Sequence, residues 1–145
     1  MDCLFCANQF ESASIKEYEF WDLQIFVDDQ YYVGRCVAVF KQDHIVDVTE
    51  LTNKAILELH NTVLPELQDA LGTLFDPDFY NYSSLGNDCE HLHYHIIPRY
   101  KDTIVYNGKE YTDEYWGKTY KQEYERVKLD DSELSELITD IREQI

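Results

Sequence analysis

Residues 91–97 read His-Leu-His-Tyr-His-Ile-Ile, and this alternation limits the fold more than any other stretch. Period two belongs to a β-strand, whose successive side chains point to opposite faces. A strand here sends His91, His93 and His95 to one face and Leu92, Tyr94 and Ile96 to a core. At a rise of ~3.3 Å per residue, neighbouring imidazoles stand roughly 7 Å apart. The chain must therefore build a sheet with one packing face and one face available for chemistry.

The surrounding pattern supplies partners for that strand. Residues 18–27 and 31–41 are rich in aromatic and β-branched residues and flank the turn signal Asp28-Asp29-Gln30. Gly34 marks a bulge or a close backbone approach. Ile56, Leu59, Val63, Leu67, Ala70, Leu71 and Leu74 follow helical spacing. Thr49 or Thr52 is the candidate cap of that helix, and Pro65 predicts a kink or break within it. Residues 79–84 form a further short strand, and Asn107-Gly108 joins two more as a tight hairpin. A last helix starts at Asp130 or Ser132 and buries Leu134, Leu137, Ile138, Ile141 and Ile145. No regular βαβ alternation occurs. The expectation is one α+β domain over residues 1–145, with a mainly antiparallel sheet and two main helices.

A formal charge of −17 repels nucleic acid and anionic membranes. No stretch approaches the ~20 apolar residues of a membrane span, and the opening Met1-Asp2-Cys3-Leu4-Phe5-Cys6 lacks a signal-peptide pattern. A cytoplasmic protein with neither nucleic-acid nor membrane partners is expected. In that reducing setting Cys3-x-x-Cys6 has the spacing of half a zinc site. Cys36, inside the apolar run 36–40, is a small buried hydrophobe.

Three imidazoles on one strand face admit more than one chemistry. They can divide the work of a nucleophile, a phosphate contact and a proton carrier, form a three-histidine catalytic metal site, or simply line a solvent face. The wider sequence adds a resemblance. His91 to Ile97 resembles the signature of histidine-triad (HIT) proteins, in which three histidines alternate with apolar residues. Pro98-Arg99-Tyr100, the N-terminal Cys-x-x-Cys, His44 before the long helix and the segment Asn81-Tyr82-Ser83-Ser84-Leu85-Gly86-Asn87 extend the likeness. The likeness is to the bacterial zinc-containing branch of the family, which resembles diadenosine polyphosphate hydrolases, and it spans residues 1 to about 100.

That resemblance implies a HIT-like fold and nucleotide hydrolysis or transfer at an α-phosphate. His93 would attack phosphorus and form a nucleotidyl-histidine intermediate, which water then releases. The backbone carbonyl of His91 would fix the tautomer of His93. His95 would contact phosphate oxygen or assist proton transfer. Asn87 and the N–H groups of residues 87–89 would stabilise charge on non-bridging oxygens, with Asp88 turned away. Many relatives carry another histidine after the glycine matched by Gly34. Here Arg35 stands there, able to neutralise phosphate but not to give up a proton.

The same resemblance completes a structural zinc site with Cys3, Cys6, His44 and His91. A competing set exchanges His91 for Cys89, which shares its strand parity. Phe26 and Phe40 are expected as walls of a base slot, and Asp28 or Asp29 as the partner of ribose hydroxyls. His60 has no assigned role. A homodimer is implied. The readings that stand are a hydrolase of dinucleoside polyphosphates or nucleoside phosphoramidates, a nucleotidyltransferase of the same chemistry, and a low-activity nucleotide-binding module.

Overall fold

The computed structural model describes residues 3–120 and 126–145; Met1 and Asp2 of the N-terminal reading lie outside them. Five strands form an antiparallel sheet: β1 (Ser14–Glu17), β2 (Trp21–Ile25), β3 (Cys36–Phe40), β4 (Phe79–Ser83) and β5 (His93–Arg99). Their spatial order is β1-β2-β3-β5-β4. The helical layer comprises α1 (Asn53–Glu58), α2 (Leu64–Leu74) and α3 (Asp131–Gln144). A separate hairpin pairs β6 (Ile104–Tyr106) with β7 (Lys109–Tyr111). Positive φ at Asn107 and Gly108 gives that hairpin the tight turn expected of Asn-Gly. The α+β architecture with a mainly antiparallel sheet and two main helices is the expected one.

Strand parity divides the sheet. Trp21, Leu23, Ile25, Cys36, Ala38, Phe40, Leu92 and Ile96 join the core with Leu67, Leu71, Leu137 and Ile141 from the helices. Tyr94 packs against the same cluster, its ring edge-on to Trp21 at 5.9 Å. The indole N–H of Trp21 donates to the carbonyl of Ala55 at 2.8 Å and ties α1 to this face. On the opposite face the ladder aligns Gln24 with Val37, Val37 with His95, and Val39 with His93. The face reserved for chemistry thus runs over the three central strands.

Element boundaries depart from the sequence expectation in three places. Residues 18–27 are not one strand. The chain reverses at residues 18–20, where the Glu58 carboxylate accepts the N–H groups of Glu19 and Phe20 at 3.0 and 2.7 Å. Residues 31–35 form a turn rather than the start of β3, because Gly34 adopts φ +92°. Pro65 does not break the helix; Leu59–Val63 widen into a π-helical turn between α1 and α2. A proline ring collides with the carbonyl four residues earlier in a regular helix, and a widened turn relieves that collision. Thr52 caps α1 through Ala55 N–H, and Asp130 caps α3 in a reciprocal pair with Glu133.

Candidate active site and metal centre

Two hydrogen bonds set the orientation of the first two histidines. The Nε2–H of His91 donates to the carbonyl of Phe40 at 2.5 Å. The Nδ1–H of His93 donates to the carbonyl of His91 at 2.7 Å. A neutral imidazole with one nitrogen committed as a donor carries its lone pair on the other. His91 therefore offers Nδ1, and His93 offers Nε2.

His91 Nδ1 lies 3.4 Å from the sulfurs of both Cys3 and Cys6, and Cys6 Sγ lies 3.4 Å from His44 Nδ1. The four donor atoms all fall within 4.8 Å of one another. A tetrahedral zinc with ordinary Zn–S and Zn–N bonds has donor–donor edges of about 3.3–3.8 Å, so this cluster fits a zinc ion. Burial alone would raise the Cys3 thiol, but the Cys6 backbone N–H and other hydrogen bonds outweigh it and the net shift is downward, toward thiolate. Cys6 moves the other way, through burial and the adjacent Cys3. Burial chiefly depresses His91, against the Phe40 carbonyl, and so favours the neutral ring a metal requires. Cys89 touches Cys3 through its side chain but is not part of the four-donor cluster, which retains His91.

The third histidine is governed by Arg35. Its Nη2 lies 3.1 Å from His95 Nδ1. Guanidinium has only donors, so His95 Nδ1 accepts and its hydrogen resides on Nε2. Burial, then Arg35, then His93 pull the His95 pKa down to about 3. Arg35 is itself buried, with its guanidinium 4.3 Å over the ring of Phe26 and 5.6 Å from that of Tyr120. Arginine stacks on aromatic rings in this way while keeping its in-plane donors.

Buried Gln30 fixes that turn. Its Nε2 donates to the carbonyls of Phe26 and Arg35, both at 2.9 Å, and its Oε1 accepts Gly34 N–H at 2.9 Å. Gly34 is needed twice over: its φ is positive, and an added Cβ would meet Leu71 Cδ2 at 2.9 Å. On the far side Arg99 forms a buried two-point pair with Asp113, at 2.7 and 3.1 Å, and also donates to Asn81, Lys118 and Tyr115. This clamps residues 113–118 across the end of the open sheet face.

A cleft of about 440 Å³ opens over His93 and His95. Phe26, Asp28, Arg35 and Asn87 line it, and Asp88, expected to turn away, is also among its lining residues. Asp88 is exposed in the loop before β5, whereas Asp29 is committed to the 26–35 turn, accepting from the N–H groups of Tyr31 and Val127. Phe40 is not a cleft wall beside Phe26. Its parity places it in the core, 5.4 Å from Trp21. Phe5 occupies the expected wall instead, 5.1 Å from the ring of His93, with Phe10 5.4 Å behind it. Sequence reasoning also missed Gln30 and Tyr120. The position of Phe5 between Cys3 and Cys6 was the available signal, since ligation would carry it to the triad strand. His60 is exposed on the widened helical turn, away from this cleft.

The HIT domain family model matches residues 9–102. The chain belongs to the HIT domain family, and that membership points in general terms to nucleotide binding or to nucleotide hydrolase or transferase activity. Among solved structures, a histidine triad protein from Marinobacter aquaeolei VT8 superposes with a TM-score of 0.72 at 19% identity, over 94% of this chain and 91% of that one. A histidine triad protein from Sinorhizobium meliloti 1021 gives 0.71 at 18%, over 94% and 93%. A zinc-bound histidine triad family protein from Mycobacterium smegmatis gives 0.63 at 19%, over 99% and 95%. No curated protein matches the sequence. Among the described residues no helix is long and apolar enough to cross a membrane.

Proposed function

We propose that the protein, a single HIT-like domain, is a nucleotide hydrolase that cleaves dinucleoside polyphosphates or nucleoside phosphoramidates at the α-phosphate through a nucleotidyl-His93 intermediate. The observation that carries this reading is the 2.7 Å bond from His93 Nδ1 to the His91 carbonyl. It leaves Nε2 as the nucleophilic atom on a rigid strand, facing a cleft large enough for a nucleotide. His95 donates from Nε2 to a non-bridging oxygen, and Asn87 with its loop N–H groups supports the same charge. Phe26 and Phe5 form the base slot, and Asp28 at the cleft rim pairs with ribose hydroxyls. Cys3, Cys6, His44 and His91 hold a structural zinc, which when bound would fix the N-terminal segment, and Phe5 with it, against β5.

The protein acts in the cytoplasm as a homodimer. The outer edge of β4, which carries exposed Phe79, supports a contact with a second copy.

Hydrolysis in ¹⁸O-labelled water tests the site of attack. The label should appear on the nucleoside monophosphate derived from the α-phosphate, and His93→Ala should abolish turnover. Label found on the other product, or full activity in His93→Ala, would contradict the reading.

A further inference from the structure

The pairing of Arg35 with His95 bears on which bond the cleft can break. His95 Nδ1 accepts from Arg35 at 3.1 Å. With that nitrogen occupied by a donor that does not deprotonate, the ring is held as the neutral Nε2–H form. Burial beside a fixed cation opposes its conversion to imidazolium. Other charged or titratable groups around His95 are His93 on its own strand, Asp28 and Asp29 from the 26–35 turn, Asp88 and Cys89 from the loop before β5, and Arg126. Among the described residues of the cleft, Arg35 is the one whose nitrogen contacts the His95 ring.

A neutral imidazole is a good hydrogen-bond donor and a very weak acid. It can steady phosphate oxygens, but it cannot hand a proton to a departing atom. This matters differently for the two substrate types. When His93 Nε2 bonds to the α-phosphorus of an anhydride, the bridging P–O bond breaks and its electron pair leaves on a phosphate oxygen, which is stable unprotonated. Water then adds to phosphorus, the P–N bond to His93 breaks, and the proton from water passes to solvent. When the leaving atom is an amine nitrogen, the breaking P–N bond puts a pair on nitrogen that must be protonated as it departs. Here that proton has no ready donor at His95, while the fixed charge of Arg35 attracts an anionic leaving group.

We propose that Arg35, acting through His95, makes the cleft selective for anionic phosphate leaving groups over amines. The natural substrates are then nucleoside phosphoanhydrides rather than phosphoramidates. This rests on the hydrolase reading above and narrows it. Arg35 is a specificity-determining residue in this scheme.

The test compares kcat/KM for a diadenosine polyphosphate and an adenosine 5′-phosphoramidate in the wild type, Arg35→Lys and Arg35→Gln. The wild type should favour the anhydride by roughly 100-fold or more, the scale of a missing general acid. Arg35→Gln should reduce that ratio at least about tenfold, and Arg35→Lys should restore part of it. In the folded wild type, ¹⁵N NMR should find His95 as the Nε2–H tautomer from about pH 5 to 8, around the ordinary histidine pKa. Equal use of both substrates by the wild type, or an Nδ1–H or charged His95, overturns the inference while leaving hydrolysis intact. An unchanged ratio in a folded Arg35→Gln does the same. Cleavage of neither substrate overturns the hydrolase reading, and the selectivity with it.

Discussion

His91 Nε2–H donates to the carbonyl of Phe40 at 2.5 Å, which turns its Nδ1 toward the sulfurs of Cys3 and Cys6. One residue thereby joins three parts of the molecule. Its ring belongs to the four-donor cluster, its carbonyl orients His93, and Cys89, two residues before it, lines the cleft.

One zinc per chain should therefore copurify with the protein, measurable by elemental analysis. Cys6→Ser should lose it and lower the melting temperature by roughly 10 °C, the scale of a few kcal/mol in a chain of this size. Cys89→Ser should keep the metal. Loss of zinc in Cys89→Ser with retention in Cys6→Ser would exchange their roles.

The Arg99–Asp113 pair is almost wholly buried, with side-chain exposures of 4% and 1%. Removing one partner strands the other charge. Asp113→Ala should cost about 3–5 kcal/mol in denaturant unfolding. A loss under about 1 kcal/mol, the size of an exposed pair, would mean that the guanidinium is compensated by its carbonyl partners at Tyr115 and Lys118.

His95 sets a pH dependence of defined sign. Its folded pKa is pulled to about 3, first by burial and then by Arg35 and His93, while an unfolded histidine titrates near 6.5. Between those values the unfolded chain binds the extra proton. The term is neutral above the unfolded pKa, and it destabilises progressively as pH falls toward the folded one. Unfolding free energy should rise from about pH 4 to 7, and His95→Gln should flatten part of that slope. Parallel slopes in the two proteins would remove His95 from the effect.

Gln30 and Gly34 shape the turn that carries Phe26 and Arg35. Gln30→Ala should destabilise by about 1–3 kcal/mol, because three backbone groups, two of them in buried bonds, lose a partner. Gly34→Ala should cost a similar amount, about 1–3 kcal/mol, from its positive φ and the contact with Leu71. Both should raise KM more than they lower kcat, since the turn builds the walls of the cleft. Wild-type KM in both variants would separate the turn from substrate binding.

The fold was legible where local periodicity and tertiary role coincide. The alternation at 91–97 located β5 and its two faces, and the Asn-Gly pair located the β6–β7 turn. It was illegible where a distant group decides the backbone. Glu58 ends β1 by capping the Glu19 and Phe20 amides, and buried Gln30 turns an aromatic stretch into a loop. At the site, the three histidines and the two cysteines were visible as spacings. Phe5 was not, because its approach to His93 depends on how the N-terminal segment folds over β5. The Arg35–His95 contact was equally hidden, since it joins residues 60 positions apart.

The most direct test of the nucleophile is the intact mass of the protein mixed 1:1 with a diadenosine polyphosphate and quenched within milliseconds. An acid-labile adenylyl adduct that maps to His93, and that is missing from His93→Ala, is the predicted result. Turnover of the dinucleotide with no adduct at any quench time, or an adduct mapped to His95, would contradict it.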